Sequence, residues 1–144
     1  MGRKSRKKKE RRTEKLVVFV CTANVCRSPM AEKLFEDALA KSKFRQKIRV
    51  FSAGLTAVEG DKPSENSVVA CEEDGLDLSD HRSAILTRAT LQNASAVFCM
   101  TESHRALMHM YFELPDEAPI FLMREFTDAA DKENLSIDGD CRSG

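Results

Sequence analysis

The 144-residue sequence is short of the residues that interrupt a domain or cross-link one. It contains six glycines and four prolines, too few for a low-complexity linker. Its five cysteines are an odd number at irregular spacings and include no Cys-x-x-Cys pair, so neither a disulfide framework nor a zinc site is expected. No apolar run is long enough for a membrane span or a secretion signal. These absences favour one cytoplasmic domain with reduced thiols and no cofactor, and they leave the oligomeric state open.

Basic residues are concentrated at the start of the chain. The formal net charge is zero, yet residues 1–15 carry nine Lys or Arg and two Glu. Residues 16–144 therefore carry an excess of seven acidic side chains. Because the first segment has no apolar face, we predict a basic disordered arm over 1–15. Residues 3–15 could contact a polyanion weakly, and a solubilising tail is the alternative.

Apolar segments alternate between strand and helix patterns along the rest of the chain. Strands are predicted at 16–20, 48–51, 94–100 and 119–122, and helices at 28–39, 63–74, 87–92 and 101–112. Such alternation predicts an α/β three-layer sandwich, in which a four-stranded parallel sheet carries helices on both faces. Ligands of such folds bind beyond the carboxyl ends of the strands.

A short loop that follows the first strand is the most informative segment. It begins at Cys21 and leads into Ser28 and Pro29, a pair typical of an N-cap and a first helical residue. The main-chain N–H groups of a loop that enters a helix have no helical partner, and the helix dipole adds partial positive charge. The sequence therefore predicts a phosphate-binding loop after strand 1.

Two side chains of this loop indicate covalent chemistry. Arg27 offers a planar set of donors that matches two phosphate oxygens at once. Cys21 would attack phosphorus as a thiolate, a form that the loop amides, the nearby cation and the Ser28 hydroxyl would each favour. The alternative interpretation is a buried Cys21, a core-facing Cys26 and a solvated Arg27.

These residues resemble the low-molecular-weight protein tyrosine phosphatase family. Its loop consists of Cys, five residues, Arg and Ser, as at Cys21 to Ser28, and the match continues through residues 29–32. Similar segments occur at 52–54, 75–83 and 97–104, so the resemblance covers about residues 16–126.

The resemblance implies a role for each matching position. Cys21 would be the nucleophile and Arg27 the phosphate clamp. The amide cradle would comprise Thr22, Ala23, Asn24, Val25, Cys26 and Arg27. A hydrogen-bond network that holds the loop would comprise Asn24, Ser28, Ser52 and His81. Cys26 would be a redox partner that protects Cys21 through a reversible disulfide.

The general acid of that family is an aspartate before a proline, and no Asp-Pro pair occurs here. In the corresponding region an apolar pair leads into Asp138, our predicted general acid, and Asp140 is the alternative. Both could equally be surface carboxylates.

The resemblance implies a phosphorylated protein as substrate. We expect phosphotyrosine, with phosphoarginine as the alternative. The candidate walls at 57–59 and 139–141 contain no aromatic residue, so an aryl ring would find little to stack on. Val25 lies where tyrosine-directed members have a bulky aliphatic residue and protein-arginine phosphatases have threonine, and it does not decide the question.

Two further functions stay open at this point. We expect residues 16–144 to form a phosphatase-like domain that lacks the family's usual C-terminal helix, and such a domain could be a catalytically impaired phosphate-binding or scaffold protein. Arsenate reductases resemble the family in fold and loop, but their chemistry requires two further cysteines close together. Cys71 and Cys99 are far apart in sequence, so we rank that function low.

Overall fold

The structure is a computed structural model that describes residues 14–126. Residues 1–13 of the predicted arm and both candidate acids, Asp138 and Asp140, lie outside the described residues. The strands are β1 (Lys15–Cys21), β2 (Ile48–Gly54), β3 (Ala96–Cys99) and β4 (Ile120–Leu122). The helices are α1 (Arg27–Ala40), α2 (Glu65–Glu73), α3 (Arg88–Asn93) and α4 (Glu102–Phe112), and a 3₁₀ turn (Met123–Phe126) follows β4.

The four strands form one parallel sheet in the order β2-β1-β3-β4. In the register of the central strand, Val18 lies opposite Phe51 of β2 and Val97 of β3. The chain passes from β1 through α1 to β2 on one side, and later returns to β3 on the other side of β1. The strand order therefore reverses at β1, and folds of this kind bind ligands at that point.

The central strand is buried on both faces, as its uninterrupted apolar run predicts. Val17 and Phe19 pack in a cluster with Ala31 of α1. Val18 and Val20 face the opposite side, where the cluster includes side chains of α3 and α4. Helices therefore cover both faces, and the predicted α/β sandwich is confirmed.

Local capping signals set most of the helix starts. Ser64, Thr87 and Thr101 are N-caps whose side-chain oxygens each accept a hydrogen bond from the main-chain N–H three residues later. After α2, Gly75 adopts a φ of +75°, a conformation that glycine reaches without strain. None of the helices between residues 14 and 126 combines the length and the apolarity needed to cross a bilayer.

Candidate active site

The candidate site lies at the carboxyl end of β1. Cys21 is the last residue of that strand and is buried, and the loop of residues 22–26 joins it to α1. The helix begins at Arg27, and Cys26 occupies the N-cap position without a side-chain cap. The prediction of Ser28 as the N-cap is therefore wrong, because its hydroxyl is engaged with other loop residues.

The carbonyl groups of the loop are turned outward, toward the segments that surround it. The Thr22 carbonyl accepts a hydrogen bond from Thr56 N at 3.0 Å. The Val25 carbonyl accepts from Ser64 N at 2.8 Å and from Ser67 Oγ at 3.1 Å. The segments after β2 and before α2 therefore anchor the loop from two sides.

Because the carbonyls face outward, the opposite side of the loop presents N–H groups. In the part of the chain that the structure describes, the N–H groups of Ala23, Asn24 and Val25 donate to no backbone carbonyl. The N-terminus of the 14-residue helix α1 adds its dipole at the same place. A phosphate group fits this arrangement, since it offers several acceptor oxygens and negative charge.

The loop can approach β2 this closely because residue 54 is glycine. A Cβ at Gly54 would lie 2.6 Å from the Thr22 carbonyl oxygen and 2.9 Å from the Ala23 carbonyl carbon. Any larger residue at position 54 would displace the loop main chain next to Cys21.

Asn24 is the centre of the network beneath the loop. It is fully buried and adopts a left-handed φ of 58°, a conformation that asparagine tolerates better than most residues. Its Oδ1 accepts a hydrogen bond from Ala84 N at 2.8 Å, which fixes the orientation of the amide. Its Nδ2 then donates to Ser28 Oγ at 2.9 Å and to Ser52 Oγ at 3.0 Å.

This orientation determines the hydrogen bond to the candidate nucleophile. Ser28 Oγ lies 2.9 Å from Cys21 Sγ and is fully buried. Asn24 Nδ2 can only donate to Ser28, so the Ser28 hydrogen is available to the sulfur. A hydroxyl that donates to sulfur stabilises a thiolate.

His81 supports the loop from the segment after α2. Its Nε2 lies 2.8 Å from the Asn24 carbonyl oxygen, and since a carbonyl only accepts, Nε2 carries the hydrogen. The pKa of His81 lies below its ordinary value, chiefly because the ring is buried. The hydrogen bond to Asn24 raises the pKa and the neighbouring Arg82 lowers it, both by less than burial does. The structure thus brings together Asn24, Ser28, Ser52 and His81, the four positions that the resemblance implied.

Three cysteines beside Cys21 fall among the described residues, and none of them forms a disulfide there. Cys26 is half-buried at the end of the loop. Burial raises the pKa of the Cys71 thiol, and it raises the pKa of Cys99 to about 12. The last two thiols are therefore protonated at neutral pH and are not candidate nucleophiles.

Several contacts of the site escaped the sequence analysis. Thr22 Oγ1 lies 3.0 Å from Nε2 of the buried His104 at the start of α4, which ties the loop to the helix that follows β3. Ser52 Oγ donates to Glu32 of α1. Glu32 could have been found, because it follows Ser28 by four residues and thus lies on the same helix face. No sequence signal indicated His104.

The rim of the site beside the loop is aliphatic. Ala57 is buried and Val58 is 65% exposed, so an apolar side chain is available to a substrate there. The carboxylate of Glu59 accepts a hydrogen bond from Ile85 N. The second candidate wall, residues 139–141, lies outside the described residues.

Comparisons with known proteins agree with this geometry. The family model described as low molecular weight phosphotyrosine protein phosphatase matches residues 16–142. A protein-arginine-phosphatase of Geobacillus stearothermophilus is 34% identical over 80% of this chain and 73% of its own length. A low molecular weight phosphotyrosine protein phosphatase of Gallus gallus is 32% identical over 62% of this chain and 57% of its own.

Solved structures show the same likeness. The low molecular weight protein tyrosine phosphatase from T. tengcongensis superposes with a TM-score of 0.69 at 35% identity, covering 81% of this chain and 78% of its own. Because the family model spans most of the sequence, this chain belongs to the low molecular weight phosphotyrosine protein phosphatase family.

Proposed function

We propose that this protein is a cysteine-dependent phosphatase that hydrolyses a phosphorylated side chain of a protein substrate. One observation carries the proposal: Cys21 Sγ receives the Ser28 hydrogen bond at 2.9 Å beside a loop whose carbonyls point outward. This arrangement combines a sulfur atom that accepts a hydrogen bond with a set of main-chain donors for the phosphate that the sulfur would attack.

In the first step the Cys21 thiolate attacks phosphorus and the bond from phosphorus to the leaving atom breaks. The loop N–H groups and Arg27 hold the three non-bridging oxygens, where the negative charge is spread in the transition state. A general acid, which we assign to Asp138, gives a proton to the leaving oxygen. The products of this step are the dephosphorylated side chain and a cysteinyl-phosphate.

In the second step water attacks phosphorus and the phosphorus–sulfur bond breaks. The same carboxylate, now ionised, accepts a proton from the water. Inorganic phosphate leaves, and the electron pair of the broken bond returns to Cys21 as the thiolate. The Ser28 hydroxyl serves both steps, because it donates to the sulfur whenever the sulfur is negatively charged.

We propose phosphotyrosine as the substrate. Val25 and Val58 present methyl groups at the loop and its rim, and an aryl ring is apolar, whereas burying a guanidinium against methyl groups costs free energy. Phosphoarginine is the second candidate, which the similarity to the Geobacillus stearothermophilus protein favours.

Two phosphopeptides of identical flanking sequence, one with phosphotyrosine and one with phosphoarginine, separate these candidates. We expect kcat/KM for phosphate release to be at least about tenfold higher for the phosphotyrosine peptide. The reverse ratio would assign the protein to phosphoarginine. Phosphate binding without turnover of either peptide would instead support the scaffold function.

The general acid has its own signature, which distinguishes Asp138 from Asp140. Asp138→Asn is expected to lower kcat/KM, which reports the step in which the leaving group departs, about 10²-fold for phenyl phosphate, whose leaving group needs a proton. For 4-nitrophenyl phosphate, whose leaving group is stable as an anion, the loss should be several times smaller. Steady-state rates with both esters measure this difference. Asp140→Asn is the matched control, and the same pattern in that variant alone would transfer the assignment to Asp140.

Two other assignments are part of the same proposal. Cys26 would form the reversible disulfide with Cys21, in keeping with its place at the end of the same loop. The protein would act in the cytoplasm, where its thiols stay reduced. An arsenate reductase is disfavoured, because Cys99 packs in the cluster on the α3 and α4 side of the sheet whereas Cys71 lies on α2, which packs against α1.

A further inference from the structure

A continuous chain of hydrogen bonds leads from the candidate nucleophile to a carboxylate that has no role in the mechanism above. Its members, in order, are Cys21, Ser28, Asn24, Ser52 and Glu32. The three central side chains are at most 1% exposed. Solvent therefore cannot replace a member that is lost.

Each bond of this chain has a defined direction. Asn24 uses both hydrogens of Nδ2 for the two serines, so each serine oxygen accepts one bond and keeps its own hydrogen for another partner. The Ser28 hydrogen goes to Cys21, and the Ser52 hydrogen goes to Oε1 of Glu32. At one end of the chain the acceptor is the reactive sulfur, and at the other end it is a carboxylate.

We infer that Glu32 is a positioning residue of the phosphatase site, which holds Ser52 and, through Asn24, the left-handed turn of the loop. A serine that donates to a carboxylate becomes a better acceptor for the Asn24 amide. Ser28 and Glu32 lie one turn apart on α1, so this helix supplies both the donor to the sulfur and the terminal acceptor. The inference rests on the proposed function.

Glu32 does not contribute to the stability of the fold when it is ionised, which favours a functional role for it. Burial raises the pKa of its carboxyl; the Ser52 hydrogen bond lowers it, Glu36 raises it and Lys33 lowers it, with burial the largest effect. A carboxyl whose pKa is higher in the folded than in the unfolded state destabilises the fold when ionised. Stability is then gained as the pH falls through the raised pKa. The ionised Glu32 carboxylate therefore lowers the stability of the fold at neutral pH. In return, its hydrogen bond to Ser52 orders the loop.

Substitution by methionine removes the acceptor and keeps the length of the side chain. For Glu32→Met we expect kcat/KM toward 4-nitrophenyl phosphate and the affinity for inorganic phosphate each to fall about tenfold, the loss typical of one hydrogen bond to a charged group. Removal of a partly buried carboxylate raises Tm at pH 7, whereas the loss of the Ser52 acceptor lowers it, so Tm should stay within a few degrees of the wild-type value. Glu36→Met is the matched control, since Glu36 is exposed one turn further along α1, and it should change neither rate nor affinity.

A double-mutant cycle tests whether Glu32 acts through Ser52. Ser52→Ala should lower kcat/KM about tenfold. The double variant should lose no more of kcat/KM than either single variant. A hundredfold loss of kcat/KM in the double variant would show that the two substitutions act independently, and it would overturn the inference. An unchanged rate in Glu32→Met would overturn it as well.

The Glu32→Gln variant and the binding of inorganic phosphate provide two further measurements. If Glu32→Met does not fold, Glu32→Gln provides the comparison; its amide oxygen can still accept from Ser52, so the expected loss is about threefold, and a loss equal to that of Ser52→Ala would contradict the inference. If the wild type hydrolyses no phosphoester, the proposed function fails. Calorimetric binding of inorganic phosphate to the same variants then still tests the role of Glu32.

Discussion

Replacement of Cys21 by serine is expected to lower kcat/KM toward an aryl phosphate by ~10⁴-fold or more. A serine hydroxyl is not ionised at neutral pH and has no adjacent base in this loop, so the attack on phosphorus is lost. The loop N–H groups and Arg27 remain in place, and phosphate binding should therefore persist. Initial rates with 4-nitrophenyl phosphate and calorimetric binding of inorganic phosphate measure the two quantities separately.

Cys71→Ser is the matched control for this prediction. Cys71 is a buried cysteine of α2 whose thiol has a raised pKa. Its replacement should leave kcat/KM within about twofold of the wild type. A Cys21→Ser variant that kept a tenth of the wild-type rate would contradict the covalent mechanism, whatever the result of the control.

Arg27→Lys is expected to lower kcat/KM by ~10²–10³-fold, although the positive charge is kept. Arginine can hold two oxygens of the transferred phosphoryl group with a planar pair of donors, and the lysine ammonium is a single point on a flexible stem. Arg27 is the first residue of α1, and its Nε is buried. A lysine at this position would offer the phosphoryl oxygens a single ammonium group in place of the planar pair of donors.

The measurement is again the steady-state rate, with the inhibition constant for vanadate as an independent measure of oxyanion binding. Arg88→Lys, an exposed arginine at the start of α3, is the control and should behave as the wild type. If Arg27→Lys stayed within tenfold of the wild type, the Arg27 side chain would not be the phosphate clamp.

The loop itself could be predicted because its determinants are adjacent in sequence. The strand at 16–20, the polar residues after it and the helical pattern beyond Pro29 are all local signals, and they imply an anion site at a helix start whatever the remainder of the fold. β1 ends at Cys21, one residue beyond the predicted strand, and α1 starts at Arg27, two residues before Pro29, the predicted first helical residue.

The prediction for Ser28 was wrong for a tertiary reason. A serine before a proline is a strong local N-cap signal, but the hydroxyl of Ser28 has buried partners in Cys21 and Asn24. A buried hydroxyl that satisfies two polar groups contributes more than a cap that solvent could replace. The helix therefore starts earlier, at Arg27, without a side-chain cap.

Partners separated by long stretches of chain were beyond the reach of sequence patterns. Ser67 Oγ reaches the Val25 carbonyl from 42 residues away, and His104 reaches Thr22 from 82 residues away. Only the parallel register, which brings the segments after β1, β2 and β3 to one edge of the sheet, creates these contacts.

The sequence by itself determined the parallel α/β architecture and the place of the loop after β1, because burial patterns and the Cys21 to Arg27 spacing are properties of neighbouring residues. The tertiary structure alone decided the direction of the hydrogen bonds beneath that loop. It sets the Ala84 N–H against the Asn24 side-chain oxygen and Glu32 against Ser52, and the orientation of a buried amide depends on the donors and acceptors around it, which no single segment of the chain specifies.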